Sequence, residues 1–125
     1  MYYEIYINRR DNSHFDVPKV EQWVLSLPGA FRRTQEAGGL FIVANDEIDR
    51  EEWIPLYAVN PYRFGPGTCI QVDTNQIRLK MGGGAKINTQ VRRFVIRLLD
   101  EYDCIISDGT TDITEEVKAN VDVLF

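Results

Sequence analysis

Apolar residues recur in two periods along this chain, every second position in some stretches and every third or fourth in others. Residues 2–8, YYEIYIN, alternate: Tyr3, Ile5 and Ile7 fall on one side, Tyr2, Glu4 and Tyr6 on the other. That period predicts a strand. After the polar stretch RRDNSHF, Asp16 stands where a helix N-cap is expected. Pro18 fits the first turn, whose N–H groups have no partner in any case. Val20, Trp23, Val24 and Leu27 then mark one helical face, which Pro28-Gly29 ends.

Phe31 to Glu36 predicts a short strand, Ala37-Gly38-Gly39 a turn, and LFIVA at 40–44 a buried strand. Asn45 or Asp46 is placed to cap a short helix through Glu51, Glu52 and Trp53, limited by Pro55. Residues 53–67, WIPLYAVNPYRFGPG, interleave aromatics with proline and glycine and read as a long loop. TCIQVDT and QIRLKM predict a hairpin around Asp73-Thr74-Asn75, with Arg78 and Lys80 sharing its solvent face. Ile87, Val91, Phe94, Val95, Leu98 and Tyr102 then recur at helical spacing, with Asn88 or Thr89 as the cap. Arg93, Arg97 and Glu101 step along the outer face of that helix, and Arg97 is placed to pair with Glu101. YDCII at 102–106 predicts a strand and Asp108-Gly109 a turn. Asp112 followed by Glu115 forms a capping box, opening a helix with Ile113, Val117 and Val121 on one face. The tail VDVLF is compatible with the end of that helix or with a short edge strand.

Hairpins mixed with helices point to an α+β fold rather than an alternating α/β one. The expected architecture is a single, mainly antiparallel sheet with two longer helices packed on one face, a ferredoxin-like arrangement being one candidate by element order. At 125 residues, with no linker or repeat, residues 1–125 are expected to form one globular domain.

Charge changes this picture because it is sorted along the chain. Residues 53–99 hold seven basic residues and one acid, whereas residues 100–125 hold eight acids and one base. The net charge of −5 disfavours broad nucleic-acid binding, since the mean field repels phosphate. It suits a basic protein partner. No stretch approaches the roughly 20 apolar residues of a membrane span, and MYYEIYINRR does not read as a secretory leader, so a cytoplasmic location is expected. Cys69 and Cys104 lie in apolar runs and read as buried free thiols.

Catalytic chemistry finds little support. His14 is the single histidine, in a polar loop beside Asp11, Asn12 and Ser13, and there is no Cys/His cluster, so neither a zinc site nor a catalytic dyad is expected, and no metal or cofactor is assigned. The run DEIDREE at 46–52 lacks the central glycine of a calcium loop. The carboxylates of residues 100–112 span a helix end, a strand and a turn, and acid–base work requires that they converge. Ser13, Ser26 and Ser107 have no nucleophile-elbow setting.

Two binding candidates remain. Trp53, Tyr57, Tyr62, Arg63 and Phe64 have the composition of an interface hot spot, although the same aromatics also suit the edge of a core. Gly82, Gly83 and Gly84 lie between a strand and a helix, with Lys86, Arg92 and Arg93 beyond, as an anion-binding turn requires. The spacing GGGAKIN departs from the phosphate-loop pattern. The expectation is therefore a non-catalytic protein-binding or inhibitory module, for which an immunity-type inhibitor of a basic toxin fits by size and acidity. An enzyme or regulator holding a small anion at the Gly82–Gly84 turn is the alternative, and self-association stays open.

Overall fold

The computed structural model describes residues 3–34, 39–59 and 67–125. Six strands form one antiparallel sheet: β1 (Glu4–Arg9), β2 (Ala30–Thr34), β3 (Leu40–Val43), β4 (Thr68–Val72), β5 (Gln76–Lys80) and β6 (Cys104–Ser107). Their order across the sheet is β2-β3-β4-β5-β1-β6. Among the described residues, four α-helices accompany them: α1 (Val17–Leu25), α2 (Glu47–Val59), α3 (Ala85–Glu101) and α4 (Thr114–Ala119). The α+β architecture predicted from the two periods is the one observed. Because every neighbouring pair is antiparallel, β5 and β6 run the same way with β1 between them, and α3 connects them. This split βαβ unit is the ferredoxin-like feature of the sheet. The β2-β3 hairpin extends it beyond β4.

Strand alternation explains the inner face. Ile5 faces Leu79, Leu79 faces Ile70 and Ile70 faces Phe41, so one apolar row crosses four strands. Ile7, Ile77 and Val72 form the next row, and all of these side chains are buried. Onto this face α1 places Val20, Trp23 and Val24, and α3 places Ile87, Val91, Phe94, Val95 and Leu98. Asp16 caps α1 as expected, its carboxylate accepting the Lys19 N–H at 3.3 Å. α4 and a 3-10 turn at Val121–Leu124 close the same layer, so the tail is neither a continued α-helix nor a strand.

The structure departs from the sequence expectation at three helices. First, α2 does not stop at Pro55 but runs on to Val59, so residues 53–59 are helix rather than loop. An interior proline costs a helix about 3 kcal/mol through its missing N–H. Here Trp53 and Tyr57, one turn apart, offset that by packing with Phe31 and Ile42 on the outer face of the sheet. A helix therefore lies on each side of the sheet. Second, α3 begins at Ala85 with Gly84 as an N-cap lacking a side-chain bond, and Thr89 donates instead to the Ala85 carbonyl at 2.9 Å. Starting one turn earlier buries Ile87. Third, the N-cap of α4 is Ile113, without a side-chain bond, and Asp112, one residue earlier, instead accepts from the N–H and hydroxyl of Thr114, so the expected capping box does not form. The turn at 37–39 lies largely outside the described residues.

One polar side chain ties the layers together. Buried Gln90 on α3 accepts the Gly29 N–H at 2.8 Å and donates to the carbonyls of Ala44 and Asn45, each at 2.9 Å. Gly29 passes so near Ala44 that a Cβ would collide with the Ala44 carbonyl. Glycine is required there by proximity rather than by conformation.

Both cysteines are free thiols. Cys104 is buried in the core, and Cys69 is half-buried on the outer face. β5 and β1 separate their strands, which keeps the two apart. Burial pushes the Cys104 thiol from its ordinary value of 9.0 up to about 11. As pH rises, the unfolded chain releases this proton first. The stability tied to Cys104 is thus complete below pH 9 and lost between pH 9 and about 11. Cys104→Ala is expected to flatten the alkaline limb of a plot of melting temperature against pH. An unchanged limb would show that the thiol is not the group titrating.

Candidate functional site: the outward face of helix α2

α2 carries two chemically different sides. Asp46 opens it, its carboxylate accepting the Asp49 N–H at 2.9 Å, and Glu47 and Asp49 lie in the first turn, where the helix dipole favours negative charge. Trp53 and Tyr57 point to the sheet: Tyr57 is 5% exposed and meets Phe31 edge-on, with ring centroids 5.6 Å apart. On the opposite side Ile48, Glu52, Pro55 and Val59 recur at helical spacing, flanked by Leu56. These residues face outward. Val59 is 88% exposed, Ile48 71% and Leu56 47%, while Ile54, 39% exposed, lies about 160° around the helix from Leu56, beside the sheet-facing side. Among the described residues, six large apolar side chains are exposed, and four of them belong to this one helix. Glu47, Glu51 and Glu52 are exposed beside them, and the helix's sole base, Arg50, is paired with Glu51 at 2.8 Å. The face thus carries apolar residues with one carboxylate, Glu52, among them and two more, Glu47 and Glu51, along its edge.

Of the aromatic candidates, Trp53 is half-buried and Tyr57 buried, both at the join between α2 and the sheet. They hold the helix in place. Tyr62, Arg63 and Phe64 lie outside the described residues. Sequence reasoning passed over Ile48, Leu56 and Val59. Their signal was the four-three-four spacing of Ile48, Glu52, Pro55 and Val59, hidden by reading Pro55 as a stop.

The glycine turn is placed between β5 and α3 as expected. Gly83 adopts a φ of +83°, a conformation that favours glycine. The Gly82 N–H already donates to the Thr68 hydroxyl at 3.2 Å. Lys86 reaches Asp46 at 3.7 Å, and Arg92 bonds Asp122 at 2.8 Å. Arg92 and Arg93 lie two turns along the helix, about 12 Å from Gly84. The structure therefore does not bring Lys86, Arg92 and Arg93 together at the turn. The cavity against Gly82 and Gly83 is about 40 Å³ and is lined also by Met81, Leu124 and Phe125. It has room for about one water molecule.

The acidic C-terminal region spreads out in the same way. Glu101 pairs with Lys19 and Asp103 with Arg10, rather than Glu101 with Arg97. Asp108 accepts from Thr110 and Thr111, and Asp112 from Thr114. For Asp108 the backbone N–H groups, and for Asp112 the Thr114 hydroxyl, hold the carboxyl below the ordinary range. A general acid needs the opposite shift. No group of three or more His, Cys, Asp or Glu among the described residues is arranged to hold a metal. No helix among them is long and apolar enough to cross a membrane.

Beyond α2, the outward side chains of β5, β1 and β6 are half-buried or, at Arg78, exposed. Arg78 lies over the Tyr6 ring at 5.2 Å and Lys80 over the Tyr3 ring at 5.5 Å, with Glu4 3.8 Å from Arg78. These cations occupy the ring faces and make this half of the sheet self-satisfied. Compared with known proteins, the chain matches no family model, no curated protein and no solved structure.

Proposed function

We propose that this chain is a non-catalytic protein-binding module of inhibitory type, docking through the outward face of α2 onto a basic partner with an apolar groove. The observation that carries this reading is the concentration of exposed apolar side chains on one helix. Ile48, Leu56 and Val59 would be costly to leave in water without a use, and exposed apolar patches mark interaction sites. A helix presenting a stripe of such residues suits a groove on a partner. The carboxylates of Glu47, Glu51 and Glu52 supply the charge match and would speed encounter with a basic surface. The net charge of −5 acts in the same sense over longer range. Free thiols accord with a reducing, cytoplasmic setting.

The reading is tested by affinity capture from native host cells with wild-type chain and a Leu56→Asp/Val59→Asp variant. Both positions are exposed, so the variant is expected to keep its melting temperature to within a few degrees. It is also expected to lose a basic partner that the wild type retains, with affinity falling at least about 100-fold. A partner held equally by both proteins would place the interface elsewhere.

A further inference from the structure

On the opposite side of the sheet from α2, a groove of about 210 Å³ runs between the C-terminal end of α1 and the middle of α3. Trp23, Leu27 and Phe94 form its floor, and Arg93 and Arg97 stand at its rim. The two arginines are one helical turn apart and both exposed. Like charges at that spacing oppose each other.

In a chain with 19 acidic residues against 14 basic ones, nearby cations have found carboxylates: Arg92 pairs with Asp122, Lys19 with Glu101 and Arg10 with Asp103. Arg93 and Arg97 have no ion-pair partner among the described residues, and no carboxylate lines the groove. Arg97 is nevertheless positioned, its guanidinium lying 4.6 Å from the centroid of the Trp23 ring. The last carbonyls of α1 make cations tolerable here, because a helix C-terminus carries partial negative charge.

We propose that this groove binds a small oxyanion, a phosphate or carboxylate carried on a compact organic group, between Arg93 and Arg97. A guanidinium matches the two-pronged geometry of such groups, and two at one groove rim supply the charge. The aromatic and aliphatic floor takes the organic part, as in ligand sites with apolar walls and few polar anchors. The volume is below that of drug-sized pockets and limits the ligand to a small molecule. The site is independent of the α2 interface, so either can fail without the other.

The test is an NMR titration of the intact chain with inorganic phosphate and, separately, benzoate, with chloride exchanged to keep ionic strength constant. Saturable shifts are expected at the Arg93 and Arg97 side-chain N–H groups and at the Trp23 indole N–H. Arg93→Gln/Arg97→Gln, shown to be folded by its melting temperature in chloride, is expected to weaken binding about tenfold or more. Arg92→Gln, which alters a cation already paired with Asp122, is expected to leave binding unchanged. Absence of saturation with both anions would overturn the proposal. So would shifts centred on Gly83 and Gly84, or equal affinity in the double variant.

Discussion

Phe94→Ala is expected to destabilise the protein by about 3–5 kcal/mol, measured by urea unfolding. Phe94 is 1% exposed and is among the largest fully buried side chains, in the middle of α3 between Val91, Val95 and Leu98. Truncation removes both the transfer energy of the ring and its contacts with neighbours on the sheet. The close-packed surroundings can collapse only partly into the space left. A loss below about 1 kcal/mol would mean that α3 packs on the sheet by another face.

Gln90→Met should be nearly as damaging although it adds no apolar deficit. Gln90 holds three backbone groups in place, the Gly29 N–H and the carbonyls of Ala44 and Asn45. Methionine has similar length, cannot donate to either carbonyl and offers the Gly29 N–H only a weakly accepting thioether. Leaving buried backbone groups unpaired costs about 1–3 kcal/mol each, so a loss of about 3 kcal/mol or more is expected. Gln90→Glu separates the causes. It keeps the acceptor for Gly29 but sets a carboxylate against two carbonyls, and it is expected to lose stability as pH rises and the added carboxyl ionises. Equal stability of wild type and Gln90→Met would show that these bonds contribute nothing net.

What the sequence disclosed follows the physics of each segment. Strands with one buried face, such as QIRLK with Ile77 and Leu79 inward, announce themselves by alternation. The α3 face was equally plain, because its six core positions sit on one stripe of a 17-residue helix. Gln90 on that stripe was not legible as a tie, since its partners Gly29 and Ala44 lie 61 and 46 residues away. The extent of α2 was obscured by Pro55, a strong local signal overruled by the burial of Trp53 and Tyr57 against Phe31 and Ile42. That same error hid the candidate site. A loop over residues 53–59 has no faces, and only its helical form aligns Ile48, Pro55 and Val59 toward water. The arginine doublet at 92–93 was visible, but successive helical residues diverge by about 100°. Arg92 thus turned to Asp122 and Arg93 to the groove beside Trp23.

The claim that the outward face of α2 contacts a partner is tested most directly by site-specific photo-cross-linking in native host cells. A photoreactive residue is placed at Val59, at Ile48, or at Thr89, an exposed position on α3. One shared cross-linked protein is expected from Val59 and Ile48, absent from Thr89. A product from Thr89 with none from either α2 position would contradict the claim.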